Sequence, residues 1–186
     1  MKCIIFAAGY ATRLHPLTKD TPKPLLTLGG VPIIERIISS LDAHKSIKEI
    51  FVVTNSRFFS QFANWNKKFT SRFDIQIIDD GTSSNDDRLG AIGDLKYVID
   101  TQKINDDLLL IAGDNIFDDN LGDLMSIFSK HKKPVIGVFD LGSEEKASNY
   151  GVVEIDRRNI IKSFEEKPKK PQSSLIATFI YALPVS

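Results

Sequence analysis

Cys3-Ile4-Ile5-Phe6 carries no charged side chain and runs straight into Ala7-Ala8-Gly9-Tyr10-Ala11-Thr12-Arg13-Leu14, after which come Pro16, Thr18 and Pro22-Lys23-Pro24-Leu25. The apolar run reads as a strand and the small residues after it as a loop. Strand, small-residue loop, arginine, then lysine is the order of parts needed to hold a triphosphate. Gly9, flanked by Ala7, Ala8 and Ala11, lets a phosphate approach the backbone and meet its N–H groups. Arg13 forks onto phosphate oxygens, and Lys23 adds a point charge between two prolines that stiffen its backbone. A Walker A loop would end in Gly-Lys-Ser/Thr and a dinucleotide fingerprint would carry a third glycine opening a helix; neither is present.

Outward from this stretch, strands alternate with helical patterns. Gly29-Gly30 is a turn, and Pro32 opens a helix with Ile33, Ile34, Ile37, Ile38 and Leu41 on its apolar face. Ile50 to Thr54 reads as a strand. A helix from about Phe58 to Phe69 follows, with Phe59, Phe62, Trp65 and Phe69 at helical spacing for core packing. A third strand, Phe73 to Ile78, leads into Asp79-Asp80-Gly81-Thr82, and a helix runs from Gly90 to Ile99. Leu108 to Ala112 lacks polar alternation, as a strand covered by helices on both faces does. The alternation predicts an α/β, Rossmann-like, doubly wound and mostly parallel sheet.

From Pro134 strands take over: Val135 to Leu141, Tyr150 to Ile155, Ile160 to Phe164 and Leu175 to Tyr181. The turn Asp156-Arg157-Arg158-Asn159 makes the middle two a β-hairpin insertion. Lys167 to Pro171 reads as an extended loop, and one of Asp118, Asp119 and Asn120 as the cap of a helix from Leu121 to His131. No linker divides the 186 residues, so a single domain is expected.

Composition limits the function. With 42% hydrophobic and 26% charged residues and a formal net charge of zero, the chain is not a general nucleic-acid or anionic-membrane binder, and no nucleic-acid or membrane partner is expected. Its single cysteine, Cys3, lies in the first strand, which excludes a disulfide framework. There is no secretory segment and no apolar run of membrane-spanning length, so the expected location is the cytoplasm. His15, His44 and His131 show no catalytic spacing.

A second chemical element, Gly113-Asp114-Asn115, follows the Leu108 to Ala112 strand. In an open α/β sheet ligands gather outside the carboxyl ends of the strands, where the Gly9 loop also lies. A carboxylate there suits Mg²⁺, which takes one or two carboxylates with phosphate oxygens and water. Two further elements are Tyr150-Gly151-Val152-Val153-Glu154 and Glu165-Glu166-Lys167-Pro168.

Together these motifs resemble, in order, those of the sugar-1-phosphate nucleotidylyltransferases: G-x-G-T-R-L with a P-K-P-L element, Gly-Asp-Asn/Ala, Y-G-V-V and E-E-K-P. Ala11 replaces the second glycine of the first motif, at a cost if the position needs a positive φ. The resemblance implies the nucleotide-diphospho-sugar transferase fold, an Mg²⁺ cofactor, and as partners a nucleoside triphosphate and a sugar 1-phosphate. It implies transfer of a nucleoside monophosphate to the sugar 1-phosphate with release of pyrophosphate. Arg13 would hold the β and γ phosphates, Lys23 the α-phosphate and Asp114 the metal. Ala8, Gly9, Tyr10, Ala11 and Thr12, with Gly81, Leu89 and Gly90, would line the nucleotide site, and Gly151, Glu166 and Lys167 the sugar-phosphate site. Arg88 stands where many relatives have glycine; contact with nucleotide and exposure to solvent are both open, as is the base. Relatives continue for some fifty residues and carry a second metal-binding aspartate in an Asp-x-Gly-Thr-Pro element. That element is absent, so the expectation is a truncated or shortened domain with weakened turnover and an apolar patch near its last strand. Two alternatives stand beside it. One is a cytidylyltransferase acting on phosphocholine or another alcohol phosphate, against which Gly151, Glu166 and Lys167 speak because choline wants an aromatic or acidic cage. The other is a non-catalytic nucleotide-binding domain.

Overall fold

Alternation along β1 (Lys2–Phe6) sends Cys3 and Ile5 to one face and Ile4 to the other, and all three are fully buried. A strand buried on both faces sits in the middle of a sheet, and this one does. In the computed structural model, which describes residues 1–117 and 121–185, β1 is flanked by β4 (Glu49–Thr54) and β6 (Leu108–Ala112), both parallel to it. Outside β4, also parallel, lies β5 (Asp74–Asp79). The strand order β5-β4-β1-β6 reverses direction between β1 and β6, which makes the gap above those two strands the natural crevice for a ligand.

Helices cover both faces. α1 (Ile33–Ser40), α2 (Ser56–Asn66) and α4 (Gly122–His131) pack with Cys3, Ile5, Val52, Leu109 and Ile111 in the larger core. α3 (Gly90–Gln102) covers the opposite face, where Val98 meets Ile4, Phe51, Val53, Leu108 and Leu110. Before α1, the two-residue strands β2 (Thr27–Leu28) and β3 (Val31–Pro32) pair across Gly29-Gly30, and Pro32 supplies the extended residue ahead of the helix. On α2 the deepest aromatics are Phe58 and Phe62, while Trp65 and Phe69 stack on each other at 5.1 Å at the rim of the core. Phe59, expected in the core, is only half-buried. Cys3, fully buried, has its thiol pKa pushed up by desolvation, as a packing residue should.

The second half of the sheet is antiparallel. β7 (Val135–Asp140) runs along one edge of β10 (Leu175–Leu183). The other edge of β10 is divided: Ile180 to Leu183 pair with β6, and Ile176 pairs with β8 (Gly151–Ile155). The division falls at a bulge between Ala177 and Tyr181, where Phe179 takes a left-handed conformation with φ of 56°. A one-turn α5 (Glu144–Ala147) precedes β8, which forms the expected hairpin with β9 (Ile161–Glu166). The hairpin turn is held by Asp156, whose carboxylate accepts from the N–H groups of Arg158 and Ile160. The cap expected from Asp118, Asp119 or Asn120 lies outside the described residues; Leu121, at φ 59°, immediately precedes α4. No helix among the described residues is long and apolar enough to cross a membrane.

Candidate functional site

Registry aligns the ends of three strands: Phe6 lies opposite Val53 on β4 and Ala112 on β6. The chain therefore leaves β1, β4 and β6 at one level, and the loops that follow face one another. Asn55, fully buried at the start of α2, fastens two of them. Its Oδ1 accepts from Phe58 N–H at 3.1 Å and caps the helix, while its Nδ2 donates to Ala8 O at 2.8 Å and holds the Gly9 loop. Thr18 Oγ1 donates to Ala11 O at 2.7 Å from the far side. Ala11 is left-handed, φ 46° and ψ 39°, so the conformational need that a glycine would satisfy is real at this position.

The third loop is tied down by Gly113, whose N–H donates to Phe6 O at 2.8 Å. A Cβ on Gly113 would lie 2.7 Å from that same oxygen and 3.2 Å from Pro24 Cγ, so only glycine lets β1, β6 and the Pro22-Lys23-Pro24 segment meet this closely. The meeting brings together side chains from 91 residues apart: Lys23 Nζ lies 2.9 Å from Asp114 Oδ2, an ion pair roughly one-third to one-half exposed. Asn115 turns the other way and donates through Nδ2 to Thr178 O at 2.6 Å, fixing the bulge of β10.

Between these loops opens a cleft of about 430 Å³. Ala7, Ala8, Gly9 and Ala11 form one wall, Lys23, Pro24 and Asp114 a second, and Asp80, Arg88, Gly90, Ala91 and Asp94 a third. Of the expected nucleotide residues, Ala8, Gly9, Ala11, Gly90, Lys23 and Asp114 thus face one space. Tyr10 is buried behind the loop, its ring 6.3 Å from that of Phe58, and desolvation raises its phenol pKa. Thr12 and Arg13 lie on an exposed single turn beside the cleft, and Arg13 makes no ion pair among the described residues. Gly81 and Leu89 flank the third wall without lining it. Arg88 lines the cleft and donates to Asn85 Oδ1 at 3.1 Å.

Sequence reading missed the carboxyl pair of that wall. Asp80 and Asp94 are 6% and 5% exposed. Asp80 Oδ1 accepts from both the N–H and the hydroxyl of Thr82 at 2.7 Å, whereas Asp80 Oδ2 and Asp94 Oδ1 are buried with no donor beyond a proton shared by the two carboxyls. Burial first, then the charge and hydrogen bond of Asp80, push the Asp94 carboxyl up to about 7. A signal was present: Asp94 precedes Val98 by one helical turn, so it lies on the stripe of α3 that faces the sheet.

A second cleft, about 510 Å³, adjoins the first across Phe6, Ala91 and Phe179. Gly151 and Glu166 line it, as do Phe164 and Tyr181. A Cβ on Gly151 would sit 2.8 Å from the Phe164 ring and 3.1 Å from Glu166 Oε2, so any side chain there would push the ends of these two exposed residues aside. Burial and the Glu166 charge raise the Tyr181 phenol. Lys167 lies 3.3 Å from Glu166 Oε1 outside the lining, at φ 48°. Phe6 stacks on Phe179 at 5.1 Å, forming the partition between the clefts. In the lining of this cleft Phe164 of β9 is 47% and Ile92 of α3 79% exposed.

Residues 2–185 match the family model described as nucleotidyl transferase. The chain is 35% identical over 185 residues to the bifunctional protein GlmU of Methanococcus aeolicus, covering 97% of this chain and 39% of that protein. It is 29% identical over 188 residues to the UTP--glucose-1-phosphate uridylyltransferase AglF of Haloferax volcanii, covering 97% and 71%. The chain spans about two fifths of the length of the GlmU proteins it matches. Among solved structures, one described as a glucose-1-phosphate thymidylyltransferase of Bacillus anthracis superposes with a TM-score of 0.79 at 28% identity, over 100% of this chain and 72% of that one.

Proposed function

The chain belongs to the nucleotidyl transferase family, and from that premise we propose that it transfers a nucleoside monophosphate from a nucleoside triphosphate to a sugar 1-phosphate. A phosphate oxygen of the sugar phosphate attacks the α-phosphorus in line, a new P–O–P bond forms, the α–β bond breaks and pyrophosphate leaves. Such chemistry asks for alignment and charge neutralisation more than for a protein base. The observation that carries the reading is the convergence of the Gly9 loop, Lys23 and Asp114 on one cleft at the switch point of the sheet.

Gly9 supports it from another side. A Cβ there would meet nothing within 4 Å, and Gly9 lies outside the positive-φ region, so neither packing nor conformation calls for glycine. Close approach of a phosphate to the bare backbone does. Arg13, without an ion pair among the described residues, takes the β and γ phosphates, and Lys23 the α-phosphate. Mg²⁺ fits Asp114 as a cation held by one carboxylate and completed by phosphate oxygens and water; no cluster of three potential ligands exists among the described residues. When bound it neutralises charge on the leaving phosphates. Glu166 accepts from sugar hydroxyls, and Lys167 pairs with the sugar phosphate once released from Glu166.

The test is a pyrophosphate-release screen pairing several nucleoside triphosphates with several sugar 1-phosphates. Release is expected from at least one pair and at least 100-fold less from Lys23→Ala; no release from any pair, with no titration by any triphosphate, overturns the reading. Glu166→Ala should weaken sugar 1-phosphate binding about tenfold and leave free triphosphate binding within twofold; equal loss of both would make the hairpin purely structural. A second reading, cytidylyl transfer to phosphocholine or a similar cationic alcohol phosphate, is favoured by Glu166 standing among Phe6, Phe164, Phe179 and Tyr181. Phosphocholine with CTP in the same screen separates the two.

A further inference from the structure

Four side-chain atoms among the described residues are buried without a close hydrogen-bond partner: Tyr10 OH, Thr54 Oγ1, Asp80 Oδ2 and Asp94 Oδ1. All four lie in one corner. Thr54 ends β4 and its carbonyl accepts from Asp80 N–H at 2.9 Å; Asp94 interacts with Asp80 from α3; Tyr10 feels the charge of Asp80 from the Gly9 loop. Tyr10 is answered by the Thr82 side chain and Asp94 by Asp80, so what this corner leaves toward the cleft is the remaining acceptor capacity of a buried carboxyl pair. Asp80 and Asp94 both line the nucleotide cleft, as Lys23 and Asp114 do. No cation answers them: neither forms an ion pair among the described residues, and Arg88 bonds to Asn85.

We propose that Asp94, held by Asp80, selects the nucleobase by accepting hydrogen bonds from an amino-bearing base, so that the cleft takes cytosine, guanine or adenine nucleotides in preference to uracil or thymine. This rests on the reading that the cleft holds a nucleoside triphosphate with its phosphates at Gly9, Lys23 and Asp114. The pattern of the corner decides the direction. Asp80 Oδ1 is fixed as an acceptor by its two bonds from Thr82, and any proton the pair holds lies between Asp80 and Asp94, so acceptors face the base. Cytosine and adenine offer an exocyclic amino group, and guanine an amino group beside a ring N–H. Uracil and thymine offer one ring N–H between two carbonyl oxygens, which would oppose carboxyl oxygens. A site whose buried polar groups are left unpaired by the wrong ligand discriminates strongly against it.

The experiment titrates the full chain with CTP, GTP, ATP, UTP and dTTP, and with tripolyphosphate as a probe of the phosphate end alone. At least one amino-bearing nucleotide is expected to bind tenfold or more tightly than UTP and dTTP. Asp94→Ala should cost that nucleotide about tenfold and change UTP and tripolyphosphate less than twofold; Asp94→Asn and Asp80→Asn, which keep side-chain volume, serve as controls for folding by circular dichroism. Tripolyphosphate binding without base preference, or UTP or dTTP binding as tightly as the best amino-bearing nucleotide, overturns the proposal and leaves the function standing. Equal losses for every probe on Asp94→Ala make the pair structural and also overturn it. Failure of every probe to bind overturns the nucleotide reading and this proposal together.

Discussion

Ala11 holds a left-handed backbone that costs an L side chain about 1–2 kcal/mol. Glycine has no such cost but loses about 0.5–1 kcal/mol in chain entropy. Ala11→Gly should therefore raise stability by roughly 0.5–1 kcal/mol, read as a higher urea midpoint at unchanged slope. Asp94 makes the opposite kind of demand. Its folded pKa of about 7 stands above the ordinary carboxylate value, so the folded state holds its proton longer than the unfolded chain does. Stability then falls as pH rises from about 4 to about 7, and the loss is complete above that window. Asp94→Asn should match the parent at pH 4, gain on it steadily to pH 7, and keep a constant advantage beyond; parallel midpoints across the whole range would show that Asp94 ionises normally. Of these two residues only Ala11 was legible in the sequence, because its motif fixes where glycine belongs. An aspartate on a helix is ordinarily a solvated residue, and nothing local announces that α3 turns Asp94 toward the sheet.

At the scale of the element, the residue that caps α2 does two jobs. Asn55 caps the helix and, through Ala8 O, sets the height of the Gly9 loop. Removing both bonds with Asn55→Ala should cost about 1–2 kcal/mol, most of it the lost cap and the rest the bond to the half-buried Ala8 carbonyl. Asn55→Asp keeps the cap acceptor but not the donor to Ala8, so it should recover about 1 kcal/mol of stability without recovering triphosphate affinity. Equal triphosphate affinity in parent and both variants would mean the loop keeps its shape unaided. Most elements were readable because apolar runs and turns mark them: Leu108 to Ala112 lies where predicted, and the Asp156 turn joins β8 to β9. The bulge of β10 was not. It arises from β6 and β8 claiming different parts of one edge, a competition between segments far apart in the chain.

Across the whole molecule, four parallel strands supply the loops of the first cleft and the antiparallel strands supply the second, with Phe6 and Phe179 between them. The order of motifs along the chain carried that division, since each precedes or follows a strand end; which side chains would meet, Lys23 with Asp114 above all, was fixed only by the closeness that Gly113 permits. That ion pair has a kinetic consequence. A chain of zero net charge whose cleft sets Asp114 and the Asp80–Asp94 pair against Lys23 and Arg88, with Arg13 beside it, has only a weak standing positive potential to draw in a polyanion. Nucleotide arrival is then governed by collision and fit, and stopped-flow association rates should change less than twofold between 20 and 200 mM salt, where an electrostatically steered encounter slows steeply. The cleft holds Lys23 already engaged with Asp114, and that lysine captures by exchange of partners what it does not attract from a distance.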